Sequence, residues 1–432
     1  MRFVKAINLG LMATLAGAGC NPSVFDTELD KAPVVAFDTG SAPLILPLSS
    51  PPSGGTVAAR MLVSRKDKAY LAIADYDKNG KVALHQASDS DLGNLGNTPV
   101  QTAAALGPNG PFILGTPSYG LTGTDTAPGR VALMTLNLLP DGTSSLAIQP
   151  TLQKTEHYGI AVAAGKVTGD PASPGEFVVV SNDTVQLLGA DARTVIASTS
   201  CPAVQLYDPT AGAYGYRPVA VANFFAGGGD EIALSGLGHV VFVQYDRTTS
   251  SLVCLPTALS QGTMANFGTS LVAADFDGDG HMDLAVGAPP DRAYVYFGPF
   301  DTAGDFVSIG SPNSNNFGKR MAAFPKPIGT RLMVADATAL VNGRSGAGAV
   351  TLLDVARGVS GDAAAITWAN LFDSNEDAPT GVFGDSLGSL EFNTQVCSAA
   401  GGPNPVPWAT SGSEVLTYFN YPGSPGDLRC SN

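Results

Sequence analysis

An all-β chain is expected here, a β-propeller of seven blades with four antiparallel strands in each. Three observations predict it. Among 432 residues, 51 are Gly and 31 are Pro, while 44% are hydrophobic and only 14% charged; that mixture suits many short strands joined by turns, and neither disorder nor a helical bundle. The apolar runs at 177–180, 240–243, 293–297 and 350–353 have strand length, and helical periodicity is nearly absent beyond the N terminus. Candidate units recur at intervals of about fifty residues, with first strands near Val57, Val100, Gly159, Val219, Phe267, Phe317 and Phe383.

The first element stands outside the fold. Arg2 and Lys5 precede an apolar stretch at 6–18, and small residues then lead to Cys20, which is the form of a bacterial signal peptide. Gly17-Ala18-Gly19-Cys20 resembles a lipoprotein signal, which implies removal of residues 1–19, acylation of Cys20 and a flexible tether within 20–32. Asn21 is not the aspartate linked to inner-membrane retention, so the resemblance implies an outer-membrane lipoprotein of the cell envelope. A secreted or periplasmic protein is the alternative. No later segment offers the roughly 18 apolar residues of a membrane span, so the N-terminal lipid is the expected membrane contact.

Residues 33–432 then read as one large domain, because turn residues are spread evenly and no long linker interrupts them. Blades around an axis solve the packing of such a series: each sheet buries both faces against its neighbours and leaves only short edges. The last unit supplies three strands, at 387–395, 405–410 and 414–420. A strand near the mature N terminus, 33–37 or 43–48, is expected to complete it and close the ring.

The formal net charge is −14, and two further positive charges leave with Arg2 and Lys5. Nucleic acid and anionic lipid are poor partners for such a surface, and the basic residues are scattered without a run that would make a patch.

Chemistry is concentrated at one place. Asp275, Asp277, Asp279 and Asp283 form the pattern D-x-D-x-D-G-x-x-D, and carboxylates this dense repel one another unless a cation neutralises them. Gly280 lets the loop turn sharply back on itself. A ring of hard oxygens suits calcium, and one Ca2+ is the expected cofactor, with the four aspartates as side-chain ligands and the His281 carbonyl as a fifth. The position of the EF-hand glutamate holds Val286, and both flanks read as strands, so a β-hairpin is expected. A solvated polar turn without metal is the plainer alternative.

Phe267-Gly268-Thr269-Ser270-Leu271, then the aspartate loop, then Gly287-Ala288-Pro289 resemble the FG-GAP repeat of the integrin α-chain β-propeller. The resemblance implies a blade whose first two strands are joined by a calcium loop, with Asp275, Asp277, Asp279 and Asp283 on the family's ligand positions. Phe317-Gly318 and Phe383-Gly384 keep the opening pair without the aspartates, while 159–169 and 218–227 keep only a strand and a turn. A single calcium is therefore carried over. In that family partners dock on the face opposite the calcium hairpins, which implies Tyr119, Tyr207, Tyr214 and Tyr216 as partner-face candidates. Packing of these tyrosines against the blades is the alternative.

Apart from Cys20, the cysteines are Cys201, Cys254, Cys397 and Cys430, an even number that favours disulfides in an exported chain. Three connectivities are open; Cys201 with Cys254, across neighbouring blades, and Cys397 with Cys430, pinning the C-terminal tail, are the preferred pairs. Gly384-Asp385-Ser386-Leu387-Gly388 matches two serine-hydrolase signatures, but the last histidine, His281, precedes Ser386, whereas both types place the base after the nucleophile. Ser386 aligns instead with Ser270 as a repeat position. His85, His157 and His239 stand alone. Asp75-Tyr76-Asp77-Lys78-Asn79-Gly80 reads as an Asn-Gly hairpin turn between the second and third strands of a blade.

These readings lead to a calcium-stabilised, envelope-anchored binding or scaffold module without catalysis, for protein or glycan partners. The alternative is a propeller enzyme acting on polysaccharide, a lyase or glycosidase using carboxylates in the central channel. A self-assembling envelope component is a third class.

Overall fold

The computed structural model describes residues 34–38, 43–48, 57–65, 69–95, 100–106, 110–116, 128–138, 144–156, 158–181, 184–201, 218–236, 238–261, 266–300, 305–311, 316–326, 329–341, 344–358, 365–371, 383–393, 403–411 and 414–418. The expected signal peptide, Cys20 and the tether lie outside these residues, as do Cys397, Cys430, Tyr119, Tyr207, Tyr214 and Tyr216.

Seven four-stranded sheets, all antiparallel, follow one another around a ring. The chain begins with β1 (Val34–Asp38), which belongs to the last sheet. Blade one is β2 (Pro43–Leu48), β3 (Val57–Arg65), β4 (Leu71–Asp77) and β5 (Val82–Gln86); blade two is β6 (Thr102–Ala105), β7 (Phe112–Thr116), β8 (Pro128–Leu138) and β9 (Ser144–Glu156). Blade three is β10 (Ala161–Gly165), β11 (Glu176–Val180), β12 (Thr184–Leu188) and β13 (Val195–Ser200), and blade four is β14 (Val219–Ala222), β15 (Glu231–Ser235), β16 (His239–Asp246) and β17 (Ser251–Ser260). Blade five holds β18 (Leu271–Ala274), β19 (Asp283–Ala288), β20 (Arg292–Tyr296) and β21 (Phe306–Gly310); blade six holds β22 (Met321–Pro325), β23 (Thr330–Asp336), β24 (Ala349–Val355) and β25 (Ala365–Leu371). Blade seven is β26 (Leu387–Asn393), β27 (Pro403–Ser411) and β28 (Glu414–Thr417), completed by β1, in which Val34 pairs with Thr417 and Asp38 with Glu414. Between blades one and two lies a short helix, α1 (Asp89–Asn94), whose N-cap Ser88 accepts from the Asp91 N–H.

The first strands β2, β6, β10, β14, β18, β22 and β26 touch in succession, and β26 meets β2, so the ring is closed. Second strands are buried throughout: β7, β11, β15 and β19 show no exposed position, because both of their faces meet a neighbouring blade. That is why Phe177-Val178-Val179-Val180 is an unbroken apolar run. Outer strands such as β13 and β21 alternate toward solvent instead. The apolar core is accordingly divided among the clefts between blades. Val178, Val180 and Leu187 of blade three meet Ile232, Leu234 and Val243 of blade four, and Val295 and Phe297 of blade five meet Leu332, Val334 and Leu353 of blade six. Met333 and Leu352, Leu390 and Trp408, and Met61 and Tyr76 join blades six, seven and one. Each such side chain contributes about 1.5–3 kcal/mol on burial.

The opening pairs have one geometry. Phe267 and Phe383 are buried, and Gly268, Gly318 and Gly384 sit at φ 92°, 81° and 78°, a region open to glycine. Ser270 Oγ donates to Gly318 O at 2.7 Å, hooking blade five to blade six, and Thr102 Oγ1 donates to Gly159 O at 2.7 Å, hooking blade two to blade three. Gly287 and Gly115 leave room for those carbonyls, which a Cβ at either position would overlap. Tyr158-Gly159, with Gly159 at φ 85°, is thus the opening pair of blade three, with tyrosine in place of phenylalanine. The sequence reading of 159–169 as only a strand and a turn misses it.

Two further expectations are corrected. Of the two candidates for the closing strand, it is 34–38 that closes blade seven, while 43–48 opens blade one as β2. The first unit therefore starts before Val57, which lies in a second strand. Pro43 and Pro47 cannot donate to a ladder, and they are tolerated because β2 is an edge strand of its sheet. The turn at 77–81 consequently joins the third and fourth strands of its blade. It is the expected hairpin turn, with Gly80 N donating to Asp77 O at 3.0 Å and Gly80 at φ 76°. Asp75 is buried and held by Arg60 Nε at 2.6 Å, with His85 Nε2 at 3.5 Å.

Candidate metal centre on the fifth blade

Strands β18 and β19 pair with Ala274 opposite Asp283, and residues 275–282 form the turn between them. Phe276 is fully buried in the cleft between blades five and six and pegs the turn to the core. Its neighbours Asp275 and Asp277 are only partly buried. Gly278 and Gly280, at φ 81° and 87°, bend the backbone back over them. Asp275 accepts from Gly278 N at 2.6 Å and Gly280 N at 3.0 Å, Asp277 from Asp279 N at 3.2 Å, and Asp279 from His281 N at 2.8 Å.

Asp283 lies beneath the turn with no solvent exposure. Its two oxygens accept from Phe276 N at 2.8 Å and Gly298 N at 2.9 Å. Burial nevertheless pushes its pKa up to about 7, those two N–H groups opposing the rise and the nearby Asp277 charge adding to it. Oxygens of Asp275, Asp277 and Asp283 lie within 4.8 Å of one another. Asp279 stands outside this group; its Oδ2 is 3.0 Å from Arg357 Nη2. His281, whose carbonyl is the expected fifth oxygen, is exposed. An all-oxygen donor set around a buried carboxylate that lacks enough positive charge fits a hard divalent cation. Asp275, Asp277 and Asp283 would hold it, and its charge would relieve their repulsion.

The sister hairpin of blade four has the same length. Ala222 pairs with Glu231 as Ala274 pairs with Asp283, so Asn223, Phe224, Phe225 and Gly227 occupy the places of Asp275, Phe276, Asp277 and Asp279. Phe224 is the same buried peg. Glu231 accepts from Phe224 N at 2.9 Å and Phe225 N at 3.2 Å, and from Gln244 Nε2 at 3.2 Å. Phe225 packs on Phe242 and Phe300 with ring centroids 5.2 and 5.9 Å away. In blade three Glu176, opposite Gly165, takes the Thr168 N–H and the Thr168 and Ser173 hydroxyls. An acid at the start of the second strand is thus a recurring cap for the first turn. Reading these acids in isolation misses the signal, which is their common place two strands into a unit.

Residues 267–298 match the FG-GAP repeat family. The fifth blade carries an FG-GAP repeat. That match spans the opening pair, the aspartate turn and the third strand of the blade. No curated protein matches the chain. Among solved structures, BBS1N in complex with ARL6DN is similar at 12% identity and TM-score 0.49, over 92% of this chain and 98% of that chain, in a crystal soaked with mercury. A lead-soaked crystal of the same complex gives 11% identity and TM-score 0.47, over 90% and 98%. A protein from Lactobacillus plantarum is similar at 14% identity and TM-score 0.41, over 68% and 77%. Likeness at this level carries no functional inference.

Elsewhere, Cys201 and Cys254 form a disulfide with Cα atoms 6.0 Å apart, joining the outer strands of blades three and four as expected. Ser386 occupies the repeat position expected of it. Gly384 N donates to Thr410 O at 2.8 Å and Thr410 N to Ser386 O at 2.9 Å, reproducing the bonds of Gly268 N to Gly287 O and Gly287 N to Ser270 O, both at 2.9 Å.

Proposed function

We propose that this chain is a calcium-stabilised propeller that serves as a non-catalytic binding or scaffold module for a protein or glycan partner, tethered to the bacterial outer membrane through an acylated Cys20. The observation that carries the reading is the FG-GAP hairpin of blade five, which brings oxygens of Asp275 and Asp277 together with one of the buried Asp283. Bound there, calcium would supply fixed positive charge and hold the turn closed; it takes part in no reaction. Two placements support a non-catalytic role. Ser386 lies in a ladder position, and the buried acids Glu176, Glu231 and Asp283 cap backbone turns. The sequence of the first twenty residues supports the envelope tether.

The test is a thermal melt of metal-stripped protein with and without calcium, metal content being verified by elemental analysis. Calcium in the range of about 0.1–1 mM should raise the melting temperature. An unchanged curve overturns the metal reading, and turnover of any member of a polysaccharide and ester panel overturns the non-catalytic one. Cys20→Ala should move the protein from the membrane to the soluble fraction.

A further inference from the structure

Arg357 follows β24 in blade six and reaches across to the turn of blade five. Its Nε lies 2.9 Å from Asp277 Oδ2 and its Nη2 3.0 Å from Asp279 Oδ2. Nη2 also donates to Gly298 O at 2.7 Å, and the guanidinium sits 5.1 Å from the centre of the Phe297 ring. The same placement recurs around the ring. Arg247, which follows the third strand of blade four, donates to Thr168 O of blade three at 2.8 Å and to Gly228 O at 2.6 Å. Phe300, which follows the third strand of blade five, donates its N–H to Phe224 O of blade four at 2.9 Å. In each case the turn after a third strand grips the preceding blade's first turn. Among the described residues, that grip falls on carboxylates of a first turn at blade five alone.

We propose that Arg357 is the positioning residue that sets the calcium affinity of this loop. The inference rests on the calcium reading above. Asp277 belongs both to the converging trio and to the arginine, so a cation and the guanidinium share one carboxylate. Two opposed effects follow. Without metal, the guanidinium screens Asp277 from Asp279 and keeps the turn assembled. With metal, a fixed positive charge stands beside the cation and weakens its binding. Arg357 also holds Asp279 away from the trio, which is why the spacing of the aspartates overstates the number of preformed ligands. A guanidinium, always charged and forked, suits this double contact better than an ammonium.

The experiment is a calorimetric calcium titration of the metal-stripped chain as wild type, Arg357→Gln and Arg357→Lys, with melting curves in chelator. Arg357→Gln should bind calcium about tenfold more tightly and melt about 2–4 °C lower in chelator. Arg357→Lys, which keeps the charge without the fork, should bind within about twofold of wild type and also melt lower in chelator. If Arg357→Gln folds only with calcium, the loaded protein is titrated with chelator instead. Wild type that binds calcium beside an Arg357→Gln of equal or weaker affinity overturns the role of Arg357 alone. An Arg357→Lys as tight as the expected Arg357→Gln overturns it too. Failure of all three chains to bind calcium overturns the metal reading along with it.

Discussion

The first turns of blades four and five are the same backbone with two different centres. Each begins with a buried phenylalanine, Phe224 or Phe276, and ends on a buried acid, Glu231 or Asp283, eight residues after the strand-end alanine's successor in both cases. Between them blade four places Phe225, packed on Phe242 and Phe300, where blade five places Asp277. Blade four thus closes its turn with aromatic contact and with a glutamate that takes the adjacent Phe224 and Phe225 N–H groups and the Gln244 amide. Blade five has the shorter aspartate and no aromatic partner at that position, and it gathers carboxylates instead. Erosion of a repeat, in this pair, is replacement of one closing device by another.

The largest effect should fall where the two turns agree. Phe224→Ala and Phe276→Ala each leave a cavity between blades and should cost about 3–5 kcal/mol, read from urea denaturation; a much smaller loss at either would show that the pegs are not equivalent. Next comes the covalent difference. Blade four is joined to blade three by Cys201–Cys254, and replacing both cysteines by serine should cost about 2–4 kcal/mol with no change in calcium titration. A shift in the calcium midpoint would mean that the two devices are coupled.

Asp283→Asn should lower stability even in chelator, because an amide has one acceptor oxygen for the Phe276 and Gly298 N–H groups, and should cost about 2 kcal/mol more in saturating calcium, where the cation's anchor is lost as well. Equal losses in both conditions would make Asp283 a cap like Glu231 and no more. The smallest effect concerns pH. Burial raises the Glu231 pKa against the Phe225, Phe224 and Gln244 hydrogen bonds that lower it. A carboxyl raised in the folded state stabilises most below its unfolded pKa, and that contribution is lost as pH rises through the folded value. Melting temperatures at pH 5 and pH 8 should therefore fall more steeply for wild type than for Glu231→Gln. Parallel slopes would dismiss the burial argument.

Much of this was legible one residue at a time. Short apolar runs separated by Gly and Pro indicate many strands, and the aspartate spacing marks blade five, because both are local patterns. Tyr158-Gly159 was harder, since tyrosine hides an opening pair that is recognisable by the positive φ of Gly159 and the hydroxyl of Thr102. The start of blade one was harder still: prolines at 43 and 47 weaken β2 as a strand, and its identity depends on being an inner edge.

By itself the sequence determined the repeat, the strand lengths and the acidic turn, because hydrophobic period, turn chemistry and charge density act over a few neighbouring residues. Tertiary structure alone decided which strand closes the ring and which aspartates converge. It also brought Arg357 onto a loop nearly eighty positions earlier in the chain. Those outcomes depend on contacts between blades, and a side chain carries no local mark of the neighbour that folding will bring to it.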